Sequence, residues 1–300
     1  MKINKFTAVL TLTFFVALSV SAQKTYTIKQ NFPIGKKYLI KMISDQFISQ
    51  KIGEQNIDLK QNIGTDYTFD IRNGNDSEKN IEVTYDRIYM TSETGGNKMN
   101  IDSDDQDTTK ANPFRKLKGA GFTMIMLHDG SVKSINGVDK MLNDMTSSMS
   151  KDTAVVRSIK QSLAKQFNAE SLKQTMESSL KIYPSKPIKI GESWVSATKV
   201  NLAMPMEMNS TYTLKDVKGN IAYLTISGTL ASKGSFDAMN NKMETDLKGT
   251  NIGDAELDLN TGLIMNAHSR IEMDGTIKAQ GQNIAFKLQG ITKIEAKEIK

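Results

Sequence analysis

Apolar and polar residues alternate along many short runs of this chain, and this period of two constrains the fold more than any other feature. Clear runs occupy residues 67–71, 222–230 and 284–288. Alternation buries one side of a strand and leaves the other in water, as in antiparallel sheets with one solvated face. Turn-forming pairs separate the runs and favour hairpins over crossover helices. These are Asn73-Gly74, Asp129-Gly130, Lys218-Gly219-Asn220, Thr261-Gly262 and Asp274-Gly275.

One segment departs from this pattern, because the apolar period changes to about 3.6 between residues 137 and 183. Asp152 and Asn168 are placed to cap the second and third helices, while Pro184 and Pro187 end the pattern. We therefore predict about three amphipathic helices. Their apolar stripes are Val138, Met141, Leu142, Met145 and Met149, then Val155, Val156, Ile159, Leu163 and Phe167, then Leu172, Met176 and Leu180.

The helical block separates two segments that echo each other. Three short motifs recur in the same order, although similarity arising by chance from turn chemistry stays open as the alternative. The pairs are 34–38 with 190–194, 67–69 with 212–214, and 129–132 with 261–264.

We predict an α+β fold, predominantly antiparallel β, with two related curved sheet halves that resemble an open half-barrel. The first β half covers 23–136, the helical block 137–183, and the second β half 184–300. The halves are expected to form one compact domain or two coupled lobes.

The first 22 residues have the features of a secretory signal peptide. Lys2 and Lys5 precede a mainly apolar run over 6–20, and Val20-Ser21-Ala22 supplies small residues for cleavage before Gln23. The run is shorter than the roughly 20 residues that a membrane-spanning helix needs. We expect a periplasmic or secreted protein.

Composition excludes several classes of function. The chain has no cysteine, so disulfides, thiol nucleophiles, thiolate zinc sites and a lipidated N-terminal cysteine are all ruled out. We expect no stable membrane anchor after cleavage.

The formal charge of +6 is spread over isolated lysines rather than concentrated in one patch. This distribution argues against a nucleic-acid partner.

A resemblance can be named from these motifs. The end of the signal at 21–23, the Ile-Gly-x-x-aromatic opening at 34–38, the stretch 184–194 and the hairpin at Thr261 resemble a family of uncharacterised secreted β-rich proteins from Bacteroidetes. That family implies no catalytic residues. The order of strands and helices also resembles, more loosely, the half-barrel carriers of envelope lipids and lipoproteins. Those carriers imply a curved sheet that holds an apolar ligand against helices.

Candidate chemistry is sparse. His128 and His268 are the only histidines, and the chain lacks both a Gly-x-Ser-x-Gly elbow and a phosphate-binding glycine loop. We expect a protein that is not an enzyme and holds no cofactor. A hydrolase with an unrecognised carboxylate pair stays an alternative.

Two patterns bear on metals. The acidic loop 102–107 offers oxygen ligands for calcium, but Asp107 and Pro113 stand where an EF-hand needs glycine and glutamate. We interpret it as a solvated loop. Met204, Met206 and Met208 place three thioethers on one strand face, which suits Cu(I), although methionine is also an ordinary packing residue. We therefore predict no metal site.

The methionines favour an apolar ligand, because flexible thioether side chains can repack around varied apolar molecules. We predict that a lipid-like ligand lies between the helical block and the sheet. A fully packed core is the alternative, and an assembly protein with a partner in the cell envelope is the rival function. The candidate ligand-binding residues are Met124, Met126, Met141, Met145, Met149, Phe167, Met176 and Met206.

Overall fold

The structure is a computed structural model of the 300-residue chain. It describes residues 24–107, 109, 112, 114–146, 153–166, 168–201, 204–238 and 241–300. The predicted signal peptide lies outside these residues, so export stays a prediction. Among the described residues, no helix has the length and apolar character needed to cross a membrane.

Long antiparallel strands dominate the chain, and this confirms the predicted β-rich class. The part before the helices forms β1 (Thr25–Tyr26), β2 (Lys37–Ile52), β3 (Gln55–Gly74), β4 (Glu78–Thr94), β5 (Asn97–Asp102), β6 (Gly121–Leu127) and β7 (Val132–Asn136).

Helices occur in the segment where the apolar period is 3.6. The third one begins at the predicted cap, where Asn168 Oδ1 accepts a hydrogen bond of 2.8 Å from Ser171 N. The remaining elements are α1 (Val138–Thr146), α2 (Thr153–Gln166), α3 (Ala169–Leu180), β8 (Ile188–Lys189), β9 (Ser193–Asn201), β10 (Pro205–Lys218), β11 (Ile221–Ala238), β12 (Asn241–Asp258), β13 (Ile264–Ala279) and β14 (Gln282–Ile299).

Twelve strands form one open sheet in the order β7-β6-β4-β3-β2-β14-β13-β12-β11-β10-β9, with β5 paired beside β4. Strands β1 and β8 form a separate two-stranded sheet. The strands before the helices make one side of the large sheet, and the strands after them make the other. The two sides join where β2 pairs with β14.

The register defines two faces of the sheet. The inner face carries Ile40, Phe69, Met124, Leu224 and Met273, all of which are buried. The outer face carries the intervening residues and is largely exposed on β12 and β13. Hairpins β3–β4, β10–β11 and β12–β13 lie at one end, which we call the helix end. Hairpins β2–β3, β11–β12 and β13–β14 lie at the other, which we call the far end.

Glycines let neighbouring strands approach closely on the inner face. An ideal Cβ at Gly253 would lie 2.3 Å from the His268 oxygen, and one at Gly249 would lie 2.3 Å from the Glu272 oxygen. No larger residue fits at such a distance without a shift of the backbone. Glycines at these positions therefore permit the close approach of β12 to β13.

Helix α3 joins the two edge strands of the sheet at the helix end. On the β7 side, Val132 N donates a hydrogen bond of 2.8 Å to Glu177 Oε1. On the β9 side, Trp194 Nε1 donates to the carbonyl oxygen of Ile182 at 2.6 Å, just beyond the helix. The helix thus occupies the gap between strands that lie at opposite ends of the sheet order.

The two sides of the sheet begin with the same pair of hydrogen bonds. Gly35 N donates to Ile71 O at 2.7 Å, and Gly191 N donates to Leu214 O at 2.7 Å. The reverse bonds run from Ile71 N and Leu214 N to the residues that follow each glycine. This geometry makes Ile71 equivalent to Leu214, two residues away from the match between Phe69 and Leu214 that the sequence suggests. The division of the chain at 23–136 and 184–300 stays a prediction.

Candidate ligand-binding site

The inner face carries an apolar surface near the far end, which we call the trough. Its residues come from adjacent strands, because Leu288 of β14 lies opposite both Ile48 of β2 and Met273 of β13. Met273 is buried, whereas Ile48 and Leu288 are partly exposed. The trough consists of Ile48, Met206, Met208, Leu230, Met243, Leu247, Ile271, Met273, Ile277, Ile284, Phe286 and Leu288.

The apolar inner face extends beyond the trough onto β3 and β5. Ile57 and Met99 lie on this face and are 43% and 45% exposed, values that are high for large apolar side chains. Within the described residues, β5 pairs only with β4, so its other edge has no strand partner. The inner face is therefore accessible from the side of β5.

A band of small side chains separates the trough from the helix end. Ser44, Thr292 and Ser269 lie in register on β2, β14 and β13, followed by Gly253 on β12. Thr292 Oγ1 donates a hydrogen bond of 3.2 Å to Ser44 Oγ, so these hydroxyls partly satisfy each other. The inner face therefore carries no large side chain on these four strands at this level.

Beyond the band, a pocket of about 80 Å³ lies between α3 and the inner face. Thr175, Met176 and Ser179 approach it from the helix, and Met42 and Tyr67 approach it from the sheet. Every residue that lines it is neutral. A pocket of this size holds only a small apolar group, such as the end of a chain.

Buried tyrosines keep the pocket uncharged. Burial raises the pKa of Tyr67 well above its ordinary value, and its ring packs edge-on against Tyr85 with ring centres 6.1 Å apart. Burial also raises the pKa of Tyr183, whose hydroxyl donates a hydrogen bond of 3.0 Å to Gly262 O. Both phenols are neutral at physiological pH, so the pocket favours an apolar occupant.

The structure distributes the predicted methionines over three places. Met124, Met126, Met141 and Met145 are almost fully buried in the core between the sheet and α1. Met176 lines the pocket and Met206 belongs to the trough, whereas Met149 and Phe167 lie outside the described residues. No ligand is present to test this set, so it stays a prediction.

Sequence reasoning missed the sheet residues of the pocket, Met42, Tyr67 and Ile294. Tyr67 belongs to an alternating run that the sequence did reveal, but nothing in that run says which strand α3 will cover. The pairing of β2 with β14 brings Met42 opposite Ile294, and it joins residues from the two ends of the chain.

The acidic loop is neutralised by cations of its own chain. Arg87 donates two hydrogen bonds to Asp102, at 3.1 and 2.5 Å, and Lys118 Nζ lies 2.7 Å from Asp104 Oδ1. The bonds from Arg87 lower the pKa of Asp102. Among the described residues, no group of three His, Cys, Asp or Glu side chains is arranged to hold a metal ion.

The three alternating methionines, whose thioethers would suit Cu(I), pack against apolar side chains. Met204, Met206 and Met208 contact the buried cluster around Leu230 and Met273. Thioethers in such a cluster act as adaptable apolar side chains.

Comparison with protein families finds one match. The model described as "Family of unknown function (DUF6263)" covers residues 76–264, more than half of the chain. No curated protein sequence matches.

Comparison with solved structures shows the likeness of the fold. A structure determined for lipid–protein interactions in lipovitellin aligns with a TM-score of 0.51 and 9% identity over 89% of this chain. The chain spans 25% of that lipovitellin chain. An outer membrane channel from Pseudomonas putida F1 aligns with a TM-score of only 0.27 and 6% identity, over 89% of this chain and 97% of that one. The second alignment is too distant to carry an argument.

Proposed function

The chain belongs to the DUF6263 family of unknown function, and we propose that it is an exported, non-enzymatic protein that binds an apolar, lipid-like ligand. The ligand lies on the inner face of the sheet, which acts as a half-barrel cradle with the helical block at one end. The observation that carries this proposal is the neutral pocket beneath α3, which shares its inner face with the trough.

The arrangement suits a long molecule better than a compact one. The pocket of about 80 Å³ accepts one end of a chain, the band of small residues leaves room for its middle, and the trough offers apolar contacts beyond. Burial of each methylene contributes about 0.8 kcal/mol, so several are needed for useful affinity. The lipovitellin likeness supports the proposal only through the fold.

Titration with a fatty acid tests this proposal. Delipidated protein should bind palmitate in native mass spectrometry and in fluorescence displacement of a bound polyene fatty acid. Ser179 lines the pocket, so Ser179→Leu should fill it and weaken binding about tenfold. Lys173→Leu adds a similar side chain on α3 away from the lining and should leave binding unchanged. The absence of a palmitate adduct on the delipidated protein at saturating palmitate would contradict the proposal.

A second candidate is an assembly protein that acts through a sheet edge. It is favoured by the outer edge of β5, which pairs with nothing in the described part of the chain, and by the exposed Met99 beside it. Unpaired strand edges are ready partners for another strand. Cross-linking in cells from a photoreactive residue at position 99 should then give one reproducible protein neighbour. A lipid adduct alone at this position would favour the first candidate.

A further inference from the structure

A groove of about 750 Å³, lined mainly by polar residues, crosses the outer face of the sheet, on the side opposite the trough. We call it the outer groove. Its outward side chains form two rows that run across β5, β4, β3, β2, β14 and β13 in register. The first row is Asn100, Thr91, Asn62, Asp45, Ile291 and Arg270.

The second row runs parallel to the first, two residues nearer the far end of each strand. Six strands are separated by five spacings of about 4.8 Å, so the groove is about 24 Å long. Two residues along a strand add a width of about 7 Å. These dimensions match one extended chain lying across the strands. The second row is Lys98, Glu93, Lys60, Phe47, Gln289 and Glu272.

The charges of the outer groove balance, because three cationic and three anionic side chains line it. Lys98 Nζ lies 3.6 Å from Glu93 Oε2, and Arg270 Nη1 lies 4.0 Å from Glu272 Oε1. Exposed pairs of this kind contribute little to stability, so their atoms are free to exchange partners with a ligand. A balanced lining selects neither an acidic nor a basic chain.

The groove combines planar polar groups with one aromatic ring. Asn62 Nδ2 donates a hydrogen bond of 2.6 Å to Asp45 Oδ1, which fixes two such groups near the centre. Phe47 lies in the next row on the same strand, partly exposed, with Ile291 on the adjacent strand. The ring offers a flat apolar surface between groups that donate and accept hydrogen bonds.

We propose that the outer groove binds a neutral oligosaccharide. Sugar hydroxyls both donate and accept, which suits the carboxylates, amides and cations of the two rows, and the C–H face of one ring can stack on Phe47. An extended peptide fits less well, because five of the six strands under the groove pair on both sides, and a chain that lies across the strands cannot continue the ladder at the one open edge, that of β5. This site lies on the face opposite the proposed lipid site, so the two proposals stand separately.

Calorimetric titration with cellohexaose, maltohexaose and chitohexaose tests the assignment. At least one should bind saturably, with about one site per protein. Phe47→Ala and Asn62→Ala should each weaken binding at least fivefold. Ile43→Ala and Lys293→Ala, on the same face outside the groove, should leave it unchanged, and circular dichroism should show all four variants folded.

Three results overturn the assignment. They are the absence of saturable binding by every oligosaccharide, equal losses in groove and control variants, and tighter binding of a neutral octapeptide. Repeating the titration with palmitate present separates the two proposals. Oligosaccharide affinity should stay the same whether palmitate occupies the inner face or fails to bind.

Discussion

Alanine in place of Gly262 should destabilise the protein far more than alanine in place of Gly191. Both glycines have positive φ, 77° and 90°. The Cβ of alanine at 191 meets nothing within 4 Å, whereas at 262 it would lie 2.2 Å from Lys29 O. Both variants suffer the backbone penalty of about 1–2 kcal/mol for a left-handed conformation. Only Gly262→Ala must also move the segment before β2.

That movement breaks specific contacts. Asn31 N donates to Thr261 O at 2.8 Å and Gln30 N donates to His128 O at 3.3 Å, and each bond contributes about 1 kcal/mol. Gly262→Ala should therefore lower the free energy of unfolding by about 3–4 kcal/mol, against about 1–2 kcal/mol for Gly191→Ala. Urea denaturation monitored by circular dichroism measures both values. Equal losses in the two variants would refute the reasoning, because the close approach at Gly262 would then cost nothing.

Three further predictions concern polar and titratable groups. Glu177→Ala should lower the free energy of unfolding by about 2 kcal/mol, because it leaves the buried Val132 N–H without an acceptor. Glu177→Gln keeps an accepting oxygen, so its loss in the same urea assay should be less than half as large. Burial raises the pKa of Tyr212 to about 12. The protonated phenol therefore adds up to about 3 kcal/mol to the free energy of unfolding below pH 10, and this stabilisation is lost as pH rises towards 12. Alkaline unfolding of Tyr212→Phe should accordingly be less steep. Hydrogen bonds from Arg87 lower the pKa of Asp102. The ionised carboxylate therefore stabilises the fold above about pH 4, and this stabilisation is lost on acidification. Arg87→Ala should weaken that acid dependence by less than about 1 kcal/mol, because the pair is partly exposed, and a flat response to the substitution in acid titration would contradict this.

Local patterns predicted most of the elements, but the turn predicted at Asp274-Gly275 is wrong. Both residues lie inside β13, where the glycine permits a close approach to Asp246 O instead of a reversal of the chain. Residues 67–71 and 284–288 lie in strands, Asn168 caps α3, and Asp129-Gly130 forms a hairpin turn. In each case the signal comes from neighbours in sequence, because alternation, helix caps and turns are short-range effects.

The candidate sites depend on longer-range pairing. Met42 and Ile294 meet only because β2 pairs with β14, and no local pattern encodes that register. Phe47 lies between Gln46 and Ile48, so this part of β2 shows no clear alternation of polar and apolar residues. The sequence therefore does not indicate that the ring of Phe47 lies on the outer face. Ser44 and Gln46 are polar although they lie on the inner face, so they also interrupt the alternation of apolar and polar residues along β2.

The pairing of β2 with β14 has a consequence for how the chain acquires its structure. Ser44 and Thr292 are hydrogen-bonded although 248 residues separate them, so the centre of the sheet is its most non-local part. Each side can form by successive hairpins, but the seam between them requires β14 to be available. Folding should therefore have a slow step at the seam, in keeping with the low rates of sheets rich in distant contacts. A chain stopped before β14 would leave the edge of β2 unpaired and open to association with other chains.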